Sequence, residues 1–394
     1  MTKKIIGFMC AILTLTSISI KNVNAAKYIE YPVVVGEVDN FKPELPENDA
    51  QSAYLCDFNS GTVVYAKNEN ERRPIASMTK IMLLLLAFEK EANGEFSLDE
   101  NIKVSSNASG MGGSQVFLEA DKEYRAEELI KSIIVASAND SSVAIAERLF
   151  GGESVAVHEM NKRAENLGLK NTLFSNCTGL MKPTQYSSAK DVAKMLSELI
   201  KYEKYFNYSK IYLEDFSHGD RVTQMTNTNK LVRFYNGCDG GKTGFTNEAG
   251  FCLAATAKRG ATRLISVVIG EKDSKKRFAD VSKLFDYGFD NYSSKCVLAT
   301  DCTDYQVEVK KGKSDYTDAV PENNIYIFGL NNAKENVRIV FEPDEICAPI
   351  KKGDTVGTFT VYNNDIKIGE YNAVSGLEIE RAGFSDYLND IAVA

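Results

Sequence analysis

Pro74-Ile75-Ala76-Ser77-Met78-Thr79-Lys80-Ile81-Met82-Leu83-Leu84-Leu85-Leu86-Ala87-Phe88 is the stretch on which the fold of this 394-residue chain turns. Beyond Lys80 the run is apolar on nearly every face, so it predicts a buried helix rather than an amphipathic surface one. Ser77 sits where it can cap that helix, and Pro74 just precedes it. In S-x-x-K the lysine lies one turn from the serine on the same face, which puts an amine beside a hydroxyl at the helix head. A hydroxyl is a weak nucleophile at neutral pH and needs a base beside it. Lysine serves as that base only where burial or a second cation pulls its pKa down. The helix head also offers free N–H groups and a positive dipole end to a developing oxyanion.

Two later stretches fit the same chemistry: Ser137-Ala138-Asn139-Asp140, and Lys242-Thr243-Gly244, whose lysine is a candidate second cation. Singly these patterns are weak, because S-x-x-K recurs at Ser187-Ser188-Ala189-Lys190 and S-x-N at Ser105-Ser106-Asn107. Their order and surroundings give them weight. Ala53–Asp57 and Thr62–Ala66 flank Asn59-Ser60-Gly61 as a hairpin. Glu127 to Phe150 has helical periodicity with Ser137 to Asp140 near its middle, and Val155 to Leu167 is a further helical run. Gly250–Ala257 and Leu264–Gly270 read as strands joined at Lys258-Arg259-Gly260, so Lys242-Thr243-Gly244 begins or borders a strand flanking a cleft. From Cys296 onward short alternating runs dominate, Tyr305–Val309, Asn336–Val340 and Thr358–Tyr362, with Asn363-Asn364-Asp365 turning into Ile366–Gly369. This predicts a separate all-β domain with no catalytic constellation, a spacer or protein-binding platform.

Composition removes other classes. Apolar residues at 44% and charged residues at 25% describe a globular chain of two or three domains. A net charge of -8 without a basic stripe argues against nucleic acid. With only His158, in an ordinary helical run, and His218, a Ser-His-Asp triad is not expected, and both histidines are expected to be surface groups. No clustered ligand motif is present, so neither metal nor cofactor is expected. Lys3 and Lys4, the apolar run Ile5 to Ile20 and Val23-Asn24-Ala25 have the form of an export signal, too short to span a bilayer. Removing it removes Cys10 and leaves seven scattered cysteines, expected to be mostly free thiols, with a Cys296–Cys302 pair left open. The chain thus divides into residues 1–25 (signal), 26–50 (extended, proline-bearing), 51–292 (catalytic domain), 293–383 (β domain) and 384–394 (a short tail with helical character).

Pro74–Met82, Ser137–Asp140 and Asp239-Gly240-Gly241-Lys242-Thr243-Gly244-Phe245-Thr246 resemble the serine-type D-Ala-D-Ala carboxypeptidases, the low-molecular-mass penicillin-binding proteins. Met160–Ala164, Leu167–Thr172 and Arg263–Val268 extend the resemblance, which runs from about Ala53 to Phe384. It implies an α/β (α+β) catalytic domain of the serine β-lactamase/transpeptidase type, an antiparallel sheet flanked by helices plus a helical subdomain, followed by the small all-β C-terminal domain. It also implies roles. Ser77 attacks the carbonyl between the terminal D-alanines of peptidoglycan stem peptides, Lys80 is the general base, and Ser137 relays a proton to the leaving amine. Asn139 holds the substrate backbone, Lys242 and Thr243 meet the terminal carboxylate, and Gly244-Phe245 complete the site. The Ser77 and Phe245 N–H groups form the oxyanion hole, and β-lactams are covalent inhibitors.

The chain departs from the family's pattern in places. Members often carry histidine in the stretch matching Pro183–Ser187, where this chain has Gln185, and catalysis is expected not to depend on it. A carboxylate-binding arginine has no sure counterpart near Asn227-Thr228-Asn229, although Arg263 is a candidate. Phe384, Tyr387, Leu388 and Ile391 share one face of the tail, but Asp386, Asp390 and its shortness allow only weak peripheral membrane contact, so an exported, extracytoplasmic enzyme is expected. D,D-endopeptidase activity would use the same residues. A β-lactamase would need a deacylating glutamate, and Glu165-Asn166-Leu167-Gly168-Leu169 lacks that motif's asparagine. A non-catalytic binding protein would have no need of a buried lysine pair.

Overall fold

The computed structural model describes residues 29–35, 43–331, 335–384 and 386. It divides into two compact units, one of Val33–Leu298 with Asn324–Asn336, the other of Met1–Pro32, Ala299–Asn323 and Val337–Ala394. The expected signal lies outside the described residues, as does all of the 384–394 tail except Phe384 and Asp386.

In the larger unit a five-stranded antiparallel sheet runs in the order Val63–Lys67, Ser52–Asp57, Thr262–Glu271, Gly250–Arg259, Cys238–Thr246. Alternate side chains of a strand point to opposite faces, and here each face meets a different core. Leu253, Ala255, Leu264 and Val268 pack with Val281, Leu284 and Phe285 of the helix Ser274–Asn291. Ala254, Ile265, Val267 and Ile269 join the cluster containing Met78 and Ile81–Phe88. A sheet covered on both faces needs nearly continuous apolar strands, which is how these segments read.

The sulfur and histidine expectations divide. None of Cys56, Cys177, Cys238, Cys252, Cys296, Cys302 and Cys347 is in a disulfide, so Cys296 and Cys302 are not bonded to each other. His158 is exposed as expected. His218 is buried, against expectation: its ring meets the Tyr124 hydroxyl at 3.1 Å and the Thr223 hydroxyl at 3.0 Å, beside Phe216. Partners on neighbouring strands satisfy both ring nitrogens, which sequence spacing does not show.

The smaller unit carries a seven-stranded sheet, ordered Ile29–Val35, Glu335–Pro343, Thr355–Asn363, Ile366–Ser375, Tyr316–Pro321, Gln306–Lys310, Ile346–Cys347. Its aromatic centre is Tyr305, Phe341 and Phe359, with ring centroids 4.9 to 5.5 Å apart. The predicted hairpin turn is present, with Asn364 and Asp365 at φ of 47° and 63°. Ile325–Leu330 pairs instead with Tyr292–Leu298 and falls in the larger unit.

Candidate active site

Local structure around the nucleophile differs from a capped helix. Ala76–Thr79 forms a 3-10 turn, and the α-helix proper is Lys80–Ala92, with no side-chain cap at Thr79. Ser77 therefore does not cap the helix. Its hydroxyl instead accepts a hydrogen bond from Lys80 Nζ at 2.9 Å. The turn is entered through Ala76 at φ 45°, a strained conformation for a residue with a Cβ.

The expected continuous helix through Ser137 is also corrected. The chain forms two helices, Ala126–Val135 and Asn139–Phe150, with Ser137 between them at φ 65°. Left-handed backbone at a non-glycine residue breaks the helical periodicity that the sequence suggests. The break turns Ser137 toward Lys242, whose Nζ donates to Ser137 Oγ at 2.7 Å. Asp140 fixes the adjoining loop, its carboxylate accepting from the backbone N–H groups of Val116 and Leu118.

Lys80 is fully buried and donates to Asn139 Oδ1 at 2.7 Å and to the Thr178 carbonyl at 2.5 Å, besides Ser77. Burial lowers its pKa to about 7. In the neutral form two N–H bonds suffice for Asn139 and Thr178, leaving the lone pair for the Ser77 hydroxyl proton. Burial also carries Lys242 well below the ordinary lysine range, with the charges of Lys80 and Arg277 acting in the same direction. Two amines in one dry site resist holding two protons, so the serine sits among amines of which at least one is poised to accept.

Lys242, Thr243, Gly244 and Phe245 lie inside the strand Cys238–Thr246 rather than at its start, and that strand is an edge of the sheet. A Cβ on Gly244 would stand 2.5 Å from the Ile75 carbonyl oxygen, so only glycine lets the strand close on the nucleophile's turn. The outcome is one cleft formed by Ser77, Lys80, Ser137, Asn139 and this strand.

Three contributors have no spacing signature in the sequence, although Gln185 stands out there as a departure from the family's pattern. Thr178 acts through a backbone carbonyl, which leaves no side-chain signature. Gln185 is buried and its Oε1 accepts from the Ser175 and Asn176 N–H groups, while Asn176 Oδ1 accepts from Gly179 N at 2.7 Å; this network fixes the segment bearing Thr178. Arg277 is mostly buried and donates toward the Gly244 carbonyl at 3.3 Å, a permanent cation behind the strand. Arg263, by contrast, is tied bidentately to Asp239, at 2.9 and 2.8 Å, and lies over the Phe206 ring. Volume alone is no guide to the site: a groove of about 600 Å³ in the smaller unit, lined by Gln306, Tyr316, Glu342 and Ile346, holds none of these groups. No group of three or more histidine, cysteine or acidic residues suited to a metal occurs among the described residues.

Comparison with known proteins identifies the family and the fold. A profile of the D-alanyl-D-alanine carboxypeptidase family matches residues 39–273, and one of the penicillin-binding protein 5 C-terminal domain matches residues 292–381. The chain is 40% identical over 348 residues to D-alanyl-D-alanine carboxypeptidase DacF of Bacillus subtilis, covering 86% of this chain and 88% of that one. It is 32% identical over 324 residues to DacA of Escherichia coli, covering 80% of each. Among solved structures, penicillin-binding protein 5 of Haemophilus influenzae superposes with a TM-score of 0.68 at 28% identity, covering 86% of this chain and all of that one. PBP3 of Streptococcus pneumoniae, a peptidoglycan synthesis regulatory factor, gives 0.73 at 25% identity, covering 84% of this chain and all of that one.

Proposed function

The chain belongs to the D-alanyl-D-alanine carboxypeptidase family, and from that premise we propose that Ser77 removes the terminal D-alanine from peptidoglycan stem peptides through an acyl-enzyme. The observation that carries this assignment is the contact of Lys80 Nζ with Ser77 Oγ inside a buried, histidine-free site. Neutral Lys80 takes the hydroxyl proton as Ser77 Oγ bonds to the carbonyl carbon of the D-Ala-D-Ala amide. The carbonyl electrons move onto oxygen, where the Ser77 and Phe245 N–H groups receive them; such a donor is typically worth about 3 kcal/mol of barrier. As the C–N bond breaks, Ser137 relays a proton to the departing D-alanine nitrogen. Water then releases the shortened peptide. Asn139 holds the substrate's backbone, and Lys242 with Thr243 receives the terminal carboxylate, where the fixed charge of Arg277 adds to the field.

A peptide binding this way lies antiparallel to the edge strand, borrowing backbone groups that no sixth strand of the described residues occupies. β-Lactams would acylate the same serine. We further propose export across the cytoplasmic membrane, motivated by the pattern of residues 1–25; no helix of the described residues is long and apolar enough to cross a membrane. The test of activity is incubation with an N-acetylated pentapeptide and with a cross-linked dimer. Release of D-alanine from the pentapeptide, abolished in Ser77→Ala, is expected; undiminished release by that variant would refute the assignment. Dimer cleavage would instead identify endopeptidase activity.

A further inference from the structure

The peptide unit that joins Gly244 to Phe245 has chemistry on both of its edges. Its N–H belongs to Phe245 and faces the cleft as an oxyanion donor. Its carbonyl belongs to Gly244 and, in a trans peptide, points the opposite way, toward the neighbouring strand where Gly244 stands opposite Cys252. Arg277, in the first turn of the helix Ser274–Asn291, reaches this edge: Nη1 donates to the Gly244 carbonyl at 3.3 Å and to the Cys252 carbonyl at 3.5 Å. Nothing neutralises the cation. Arg277 is 9% exposed, its Nε has no partner, and no carboxylate among the described residues pairs with it. Burial draws its pKa below the ordinary arginine value. A buried charge without a counter-ion is costly to the fold, so its presence points to a use. Aromatic rings hold the guanidinium in place, with Cζ 4.8 Å from the Phe278 ring centroid and 5.4 Å from that of Phe251, which itself stacks on Phe245 at 4.3 Å. One side chain thereby contacts the main chain on one side of Phe245 and the ring against which Phe245 packs.

We propose that Arg277 is a positioning residue of the oxyanion hole: held on the Gly244 carbonyl, it polarises the Gly244–Phe245 peptide and makes the Phe245 N–H a stronger donor to the tetrahedral oxyanion. The inference rests on the carboxypeptidase reading, which places the acyl oxygen at Phe245. A cation on the carbonyl oxygen draws electron density off the peptide nitrogen, and hydrogen bonds linked through one peptide reinforce each other. An anion gains more from this than a neutral carbonyl does, so the effect lowers the barrier to acylation and leaves ground-state binding nearly unchanged. The peptide plane and two hydrogen bonds put the charge about 8 Å from the oxyanion. At an effective dielectric of about 20, that separation corresponds to roughly a 10- to 30-fold gain in rate.

The experiment follows penicillin acylation of the full chain by stopped flow, separating the limiting rate constant from the half-saturating concentration, in wild type, Arg277→Met and Arg277→Lys. Methionine fills the space beside Phe251 and Phe278 without a charge, so Arg277→Met should keep or raise the thermal midpoint. Its limiting rate constant should nonetheless fall roughly 10- to 30-fold at unchanged half-saturation. Arg277→Lys, which keeps a cation, should lie between the two. A second readout is the ester carbonyl stretch of the penicilloyl enzyme, measured by infrared difference spectroscopy. Weaker donation leaves that C=O bond stronger, so the stretch should move to higher wavenumber in Arg277→Met and part of the way in Arg277→Lys. Acylation of Arg277→Met at the wild-type limiting rate, a loss confined to half-saturation, or an unshifted stretch overturns this proposal while leaving the carboxypeptidase reading intact. Absence of any penicilloyl adduct on the wild-type enzyme overturns both.

Discussion

The larger and smaller units treat polar groups in opposite ways. In the larger unit Lys80, Lys242, Ser137, Asn139 and Asp140 are all buried around one strained turn. In the smaller one no lysine, arginine, histidine, aspartate or glutamate is buried among the described residues; its buried polar groups there are the hydroxyls of Thr317, Thr360, Ser375 and Tyr305. Taking an ion out of water costs several kcal/mol, and apolar residues of similar size are often more stabilising. A fold built only for stability would resemble the smaller unit. The difference therefore locates the chemistry without any motif, and it predicts that substitutions in the larger unit's site change activity with little loss of stability, while core substitutions in the smaller unit change stability with little loss of activity.

The largest effect should come from Lys80→Met, which removes the base while keeping much of the side chain's length. Acylation by penicillin should fall by about 10³-fold, with the thermal midpoint moving only a few degrees; wholesale unfolding would make Lys80 a structural residue and remove the contrast. Gly179→Ala comes next, since its Cβ would collide with the Ala76 carbonyl at a left-handed φ. Displacing the nucleophile's turn by about 1 Å should lower kcat/KM roughly 10²-fold while circular dichroism stays native.

In the smaller unit the direction reverses. Phe359→Ala empties the aromatic centre and should cost about 3–5 kcal/mol, read as an earlier denaturant transition, while acylation by the folded protein stays within about twofold. A large loss of acylation there would couple the units and break the comparison. The smallest effect is Asp365→Ala at φ 63°, about 1 kcal/mol in the same transition with no change in rate.

Legibility in the sequence follows the same division. Ser77, Lys80 and the strand bearing Lys242 could be read because their signals are local: one helical turn, or alternation along a strand. The sheet was legible through its continuous apolar runs, and the β domain through its period of two. Ser137's break was not, because its left-handed backbone is held by tertiary contacts while the flanking residues retain helical periodicity. Thr178 contributes a carbonyl, Gln185 a framework of hydrogen bonds, and Arg277 a charge from a helix well downstream in the chain. None of these has a spacing rule. The buried His218 shows the same limit outside the site, since its two partners come together only when the chain folds.

Protonation of Lys80 links the two properties the comparison separates. Its pKa falls from 10.5 in the open chain to about 7 in the fold, with burial the chief cause. Between those values the unfolded chain holds a proton that the folded one has released, so this lysine's penalty on stability is full below about pH 7 and is relieved as pH rises toward 10.5. Activity should follow the neutral fraction. The most direct test is the pH dependence of the second-order rate constant for penicillin acylation of Ser77, measured from about pH 5 to 9 with a penicillin that does not titrate in that range. A limb rising through an apparent pKa near 7 and then a plateau is the predicted result; a flat profile, or a rate still climbing tenfold per unit at pH ~9, would contradict a buried neutral lysine as the base.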